Sequence, residues 1–156
     1  MIDIKKEHYV DTILYSIDRV LRGVKAELRQ KLDTLNLGIT SEQFVVLDTI
    51  SCNKNIYQQK LSQIIMKDKS NTNRILKVLE QKGLIRKNFG NVKNRLVYFL
   101  ELTDAGKKIV DETIPKMKQF ITEIFVNINN DEIEMLHKLS DKFQFDLSLL
   151  EDAPLI

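Results

Sequence analysis

Apolar side chains return every third or fourth residue from Tyr9 to Leu35: Val10, Ile13, Leu14, Ile17, Val20, Leu21, Val24, Leu28, Leu32 and Leu35. That spacing lays them along one stripe of a helix, with no proline and only Gly23 inside the run. Asn36-Leu37-Gly38 ends it. Thr40 starts a second helix, with Gln43 three residues on as the partner in a capping box and Phe44, Val45, Leu47 and Ile50 behind it. After the polar break Ser51-Cys52-Asn53-Lys54-Asn55, a short third helix is expected from about Tyr57 to Met66, burying Leu61, Ile64 and Ile65. Asp68 is a good N-cap for a fourth, whose core face is Thr72, Ile75, Leu76 and Leu79. Gly83 is placed to close it in a left-handed conformation.

The period then changes. Leu84-Ile85-Arg86-Lys87-Asn88 and Leu96 through Leu102 read as strands around a polar hairpin, Phe89-Gly90-Asn91-Val92-Lys93-Asn94. Thr103 caps a fifth helix carrying Ile109, Val110, Ile114, Met117, Phe120, Ile121, Ile124 and Phe125. Pro115 should kink or break it. Asn130 or Asp131 opens a last helix, with Glu134 completing a capping box for Asp131, and Ile133, Leu136, Leu139, Phe143 and Leu147 follow. The order predicts a mainly α chain with a small β-hairpin wing, a winged helix-turn-helix with long N- and C-terminal helices. A first helix of roughly 27 residues would be about 40 Å long, more than a compact centre of this size can cover. Such a helix finds its partner in another subunit, so a homodimer is expected. Within a single domain of residues 1–156, residues 1–36 and 104–156 are assigned to dimerisation and 39–103 to the winged lobe.

The 156 residues hold one cysteine, five glycines and two prolines, too few turn residues for an all-β fold. No basic-then-apolar signal opens the chain and no run reaches the ~18 apolar residues of a membrane span, so the expectation is a cytoplasmic protein without a membrane partner. A net charge of +2 conceals a segregation. Residues 54–95 contain eleven basic side chains against Asp68 and Glu80, or +9, leaving −7 on the remainder. A basic centre between acidic ends is the footprint of nucleic-acid binding.

In a helix-turn-helix the N-terminal half of the second helix enters the major groove. With its apolar face inward, the fourth helix offers Asn71, Asn73 and Arg74 to read bases, with Ser70 and Thr72 assisting. Lys69 and Lys77 suit phosphates, and Lys93 and Arg95 at the hairpin suit phosphates or the minor groove. Against base reading stands a plain capping role for Asn71.

The run Lys69-Ser70-Asn71-Thr72-Asn73-Arg74-Ile75-Leu76-Lys77-Val78-Leu79-Glu80-Gln81-Lys82-Gly83-Leu84-Ile85 resembles the recognition helix and first wing strand of the multiple-antibiotic-resistance-regulator (MarR) family. Leu100-Glu101-Leu102-Thr103-Asp104-Ala105-Gly106 is similar to that family's second strand and turn into the fifth helix, and Ile39-Thr40-Ser41-Glu42-Gln43-Phe44 to the start of its second helix. The wing departs from the pattern. The family has an aspartate and, two residues later, an arginine; here Asn94 stands at the aspartate, Arg95 follows directly and Leu96 takes the arginine's place. Either the hairpin carries a one-residue shift or bulge, or its minor-groove arginine is weakened. The resemblance implies a sequence-specific transcriptional regulator, a repressor. It would bind a pseudo-palindromic operator in double-stranded DNA as a homodimer through the first, fifth and sixth helices, and be released by a small-molecule effector. The effector-binding residues stay unknown.

Catalytic and metal chemistry find no support. HExxH, CxxC, GxSxG and phosphate-loop patterns are missing, so no catalytic residue, metal site or cofactor is assigned and no enzyme is expected. The carboxylates near His8 and His137 have the spacing of ordinary solvated helix pairs. Cys52 has no second cysteine and reads as a small hydrophobe. The alternative from another class is a winged-helix protein-interaction module whose basic face meets an acidic partner.

Overall fold

A computed structural model describes residues 12–92 and 94–142 together with His8. Helix α1 spans Ile13–Thr34, α2 Ser41–Cys52, α3 Gln58–Ile64 and α4 Lys69–Gln81. Strands β1 (Ile85–Val92) and β2 (Arg95–Leu102) follow, then α5 (Asp104–Ile124) and α6 (Asn130–Ser140). Tyr9, Val10, Lys93, Phe143 and Leu147 lie outside the described residues.

Local rules set most of these ends. Thr40 caps α2 reciprocally with Gln43. The side chain of Asp68 accepts the Asn71 N–H at 2.7 Å to open α4. Gly83, at φ 68°, closes α4: its N–H reaches the carbonyl of Glu80, and that of Leu84 the carbonyl of Leu79. β1 and β2 pair antiparallel without interruption from Ile85–Leu102 to Val92–Arg95. A third edge is added where the Leu100 N–H meets the Ile56 carbonyl at 2.8 Å.

Several elements depart from expectation. α1 starts at Ile13 behind Thr12, so its 22 residues extend about 33 Å rather than 40 Å. The hairpin strands run longer than its polar sequence suggests, since Phe89 through Val92 belong to β1 and Val92 pairs with Arg95. α5 passes through Pro115 without a break. Pro115 cannot donate to the Asp111 carbonyl, and both residues are exposed, where a backbone carbonyl without an in-helix donor costs least. α6 is capped by Asn129 with Glu132, not by Asn130 or Asp131 with Glu134. Ile64 is exposed rather than buried.

The core belongs to the winged lobe. Val46, Leu47 and Ile50 of α2 meet Leu61, the inner face of α4, Leu84, Ile85, Leu100 and Leu102, and Val110 of α5 closes the cluster. Burial stops at Thr113, whose hydroxyl donates to the Ile109 carbonyl at 2.6 Å. α1 contributes only Leu32 and α6 nothing. Lys31 ties α1 to α5 through Glu123 at 3.0 Å, and that hydrogen bond holds the Glu123 carboxyl below the usual carboxylate range.

Candidate nucleic-acid interface

Three residues, Met66, Lys67 and the cap Asp68, separate the last turn of α3 from α4 once Ile65 has closed it. Met66 takes a left-handed φ of 51°, and the Lys67 N–H returns to the Ser62 carbonyl at 3.0 Å. An ion pair of 2.6 Å between Lys67 and Glu42 fastens this turn to the start of α2. With Thr72, Ile75, Leu76 and Leu79 buried, α4 has one free face.

That face carries Lys69, Ser70, Asn73, Arg74 and Lys77, all exposed, with Asn71 half-buried at its edge. Thr72 does not belong with them. It is fully buried and its hydroxyl donates to the Asp68 carbonyl at 2.9 Å, so it is not the assisting base contact that its neighbours suggested. Asn71 does not cap with its side chain; Asp68 does. The Asn71 side-chain amide oxygen instead accepts from the Arg74 guanidinium at 3.0 Å. Gln58, at the first turn of α3, donates from its side-chain amide to the side-chain amide oxygen of Asn73 at 2.5 Å. Both asparagines therefore have their side-chain oxygens engaged, and among the described residues neither NH2 group donates a hydrogen bond. The sequence does not mark Gln58, because its partner is fifteen residues away and only the packing of α3 on α4 brings them together.

The basic centre divides in two. Lys67, Lys82, Arg86 and Lys87 are spent inside the lobe: Lys67 on Glu42, Lys82 on the Gly38 carbonyl, Arg86 on Glu101 at 2.7 Å and Lys87 on Glu80 at 2.7 Å. Lys54, Lys60, Lys69, Arg74, Lys77 and Arg95 form no ion pair among the described residues, and all are exposed. Arg95 is the first residue of β2, opposite Val92. The unbroken register leaves no bulge in the hairpin, and Asn94 occupies the turn at φ 62°.

Away from this face, an open groove of about 520 Å³ lies between the end of α2, the base of the wing and the start of α5. Lys54, Arg86 and Lys107 line it together with Glu101 and Asp111, so it presents no single sign of charge. Cys52 is exposed, with its sulfur 3.7 Å from the Ser51 hydroxyl. Among the described residues no group of acids, histidines and cysteine is arranged to hold a metal, and no helix is long and apolar enough to cross a membrane.

A short helix, a turn and a second helix with a free polar face, followed by a two-stranded hairpin, define a winged helix-turn-helix protein. The family model that matches is that of the MarR family, over residues 39–88. YwaE of Bacillus subtilis, an uncharacterised HTH-type transcriptional regulator, is 29% identical over 133 residues, covering 85% of this chain and 75% of that protein. The crystal structure of apo MarR from E. coli matches with a TM-score of 0.67 at 26% identity, over 83% of this chain and 95% of that one. A MarR variant from E. coli, complexed with operator DNA, matches with a TM-score of 0.74 at 25% identity, over 88% and 98% of the two chains. Over residues 39–88, the helix-turn-helix and the start of the wing, the chain is thus similar to the MarR family, and the protein it resembles from Bacillus subtilis is described as an HTH-type transcriptional regulator.

Proposed function

We propose that this chain is a cytoplasmic, non-enzymatic transcriptional regulator. In this reading it binds a pseudo-palindromic operator as a homodimer, represses from it, and is released by a small-molecule effector. The observation that carries the reading is the outer face of α4, where Ser70, Asn73, Arg74, Lys69 and Lys77 are exposed opposite the buried Thr72, Ile75, Leu76 and Leu79. Arg74 and the NH2 groups of Asn71 and Asn73 meet base-edge acceptors in the major groove. Lys69, Lys77 and, from the wing, Lys93 and Arg95 meet phosphates. The similarity to E. coli MarR, solved with operator DNA, supports duplex DNA as the partner.

The homodimer reading is supported by apolar surface left open among the described residues. Ile13, Leu14, Ile17, Val20 and Leu21 on α1 are 41–60% exposed, and Met135, Leu136 and Leu139 on α6 are exposed as well. Burying each against a second copy is worth on the order of 1 kcal/mol. Two α4 helices carried on such a dimer must sit about one DNA turn, roughly 34 Å, apart. A ligand that changes this separation weakens DNA binding, and DNA weakens the ligand's binding by the same factor.

Fluorescence anisotropy with DNA from upstream of the chain's own gene, against scrambled duplex and across a salt series, tests the reading. The expected preference is about 10³ or more at physiological salt. Arg74→Ala should cost about 1–3 kcal/mol on the specific site and relax preference at one base pair. Equal weakening on all sequences would remove base reading, and no binding to either duplex at low salt would favour the protein-interaction module.

A further inference from the structure

The two helices of the helix-turn-helix are joined by a polar contact that reaches the outer face of α4: the Gln58 side-chain amide donates to the Asn73 side-chain oxygen at 2.5 Å. Both ends of that bond stand on fixed backbone. Ile56, two residues ahead of Gln58, is buried and its carbonyl takes the Leu100 N–H of β2, while the Tyr57 ring stands edge-on to Phe99. Asn73 is exposed but follows Thr72, which is fully buried. An exposed asparagine on a helix otherwise turns between rotamers. Here Gln58 gives the oxygen an assigned place, and because the amide is planar the NH2 is assigned the other edge.

We infer that Gln58 is a positioning residue that sets what Asn73 reads, a lone base-edge acceptor rather than the donor–acceptor pair of adenine; the inference rests on the DNA-binding reading above. Asparagine recognises adenine with both ends of its amide, the NH2 donating to N7 and the oxygen accepting from the N6 amino group. That contact needs both atoms against one base edge. Gln58 holds the Asn73 oxygen against α3 instead, which leaves the NH2 to donate alone. Its partners in the major groove are guanine N7 and O6, thymine O4 and adenine N7. Cytosine offers only its N4 amino group, so two donors would meet and neither would find an acceptor. The neighbours of Asn73 have the same polarity. Arg74 occupies the Asn71 side-chain oxygen at 3.0 Å, and Arg74, Lys69 and Lys77 can only donate. The duplex edge that fits α4 is therefore lined with acceptors, which selects guanine and thymine, and Gln58 contributes to that choice from a different helix. Holding the amide before DNA arrives also spares the binding step the cost of ordering it.

The test uses the full chain and a labelled duplex recovered by selection from a randomised pool, with each base pair then varied singly. Asn73→Ala marks the pair beneath Asn73 as the one where preference is lost. Gln58→Ala should flatten preference at that same pair, weakening the preferred base about fivefold with an unchanged salt slope, because no phosphate contact is removed. The double variant should bind no worse than Asn73→Ala alone, since Gln58 acts through Asn73. Gln58→Glu carries the sharper expectation. A carboxylate can only accept, so it takes the Asn73 NH2 and turns the oxygen towards DNA. The preferred base should then change to one read through an amino group, cytosine N4 or adenine N6. A Gln58→Ala protein that keeps the parent's preference at every pair overturns the inference, as does one weakened equally on all sequences. So does an Asn73→Ala protein that loses no preference, or a Gln58→Glu protein that keeps the parent's base. A parent that prefers cytosine there, or adenine even as its 7-deaza analogue, overturns it too. If Arg74→Ala still relaxes its own pair in those cases, the positioning role falls alone. If the parent chain selects no duplex, both readings fall.

Discussion

Gly106→Ala is expected to destabilise the fold and loosen α5 from the winged lobe. Gly106 is the third residue of α5, and a Cβ built there meets the Leu84 carbonyl oxygen at 2.1 Å. An ordinary carbon–oxygen contact is about 3.3 Å or longer, so helix and strand must part by roughly 1 Å. That oxygen already accepts the Thr103 N–H at 3.0 Å, while the Thr103 hydroxyl donates to the Gly83 carbonyl at 2.6 Å and accepts the Gly106 N–H at 3.1 Å. The end of α4, the start of β1, the end of β2 and the start of α5 are thus fastened at one point. Overpacking of backbone costs about 1–3 kcal/mol and loss of the strained hydrogen bond about 1 more. The better helix propensity of alanine returns up to about 1 kcal/mol. The net is roughly 2 kcal/mol, read as a melting temperature about 4–8 °C lower in a chain of this length. Gly23→Ala is the control: a Cβ at Gly23, inside α1, meets nothing within 4 Å, so that change should stabilise by about 1 kcal/mol. Urea titration of both variants decides. If Gly106→Ala is as stable as the parent, or gains as Gly23→Ala does, the close approach of α5 to Leu84 is wrong.

Burial holds the Asp48 carboxyl above the usual carboxylate range, so the folded state binds its proton more tightly than the unfolded chain. The penalty is absent below the unfolded value near 3.9 and fully present above the raised folded one. Asp48→Asn should therefore raise the melting temperature at neutral pH and lose its advantage towards pH 3; a gain that persists in acid would refute burial as the cause. Leu14→Glu with Leu136→Glu should leave the melting of the lobe within about 0.5 kcal/mol, since both sites are exposed in one chain, yet yield monomers in sedimentation velocity. A dimer that survives both charges would place the contact elsewhere. Lys77→Ala should weaken all duplexes alike and flatten the salt slope by about 0.9; a change in base preference would make Lys77 a reader.

Elements whose ends follow from a short-range rule are legible in the amino-acid sequence itself. Thr40 with Gln43, Asp68 ahead of α4 and Gly83 behind it each satisfy orphan backbone groups within four residues, and each stands where expected. Where several residues satisfy the same rule, the sequence is degenerate. Asn129, Asn130 and Asp131 can all cap, Glu132 and Glu134 can both answer, and α6 takes the earliest pair. The wing outruns its local propensities for another reason. Asn88, Gly90 and Asn91 are poor strand formers, but Phe99 covers Gly90 from across the ladder and the register carries them into β1. The candidate site divides likewise. Periodicity separates the buried residues of α4 from the exposed ones, and it puts Thr72 with Ile75, Leu76 and Leu79 rather than with the base readers. Periodicity cannot find Gln58, whose grip on Asn73 exists only once α3 and α4 cross.

The two halves of the chain are finished to different degrees, and this difference is the physical basis for coupling in the proposed regulator. The winged lobe closes its own core, with Leu47, Leu61, Leu76, Leu79 and Leu100 no more than 1% exposed. Its cations at the base of the wing are neutralised internally, and Lys87 of the wing is tied to Glu80 of α4. The helices outside it keep their apolar faces open, and α5 is the element common to both. Its first half lies in the lobe's core through Val110 and Thr113, and its second half reaches α1 through Glu123 and Lys31. Pro115 falls between these halves, where the helix lacks one backbone hydrogen bond and bends most easily. A second copy seated on α1 and α6 would fix the outer half of α5, and the inner half would carry that constraint to α4 through the Leu84–Gly106 contact. Substitutions at that contact should then alter operator affinity without touching any residue that faces DNA, and Gly106→Ala is the variant in which stability and binding can be read together.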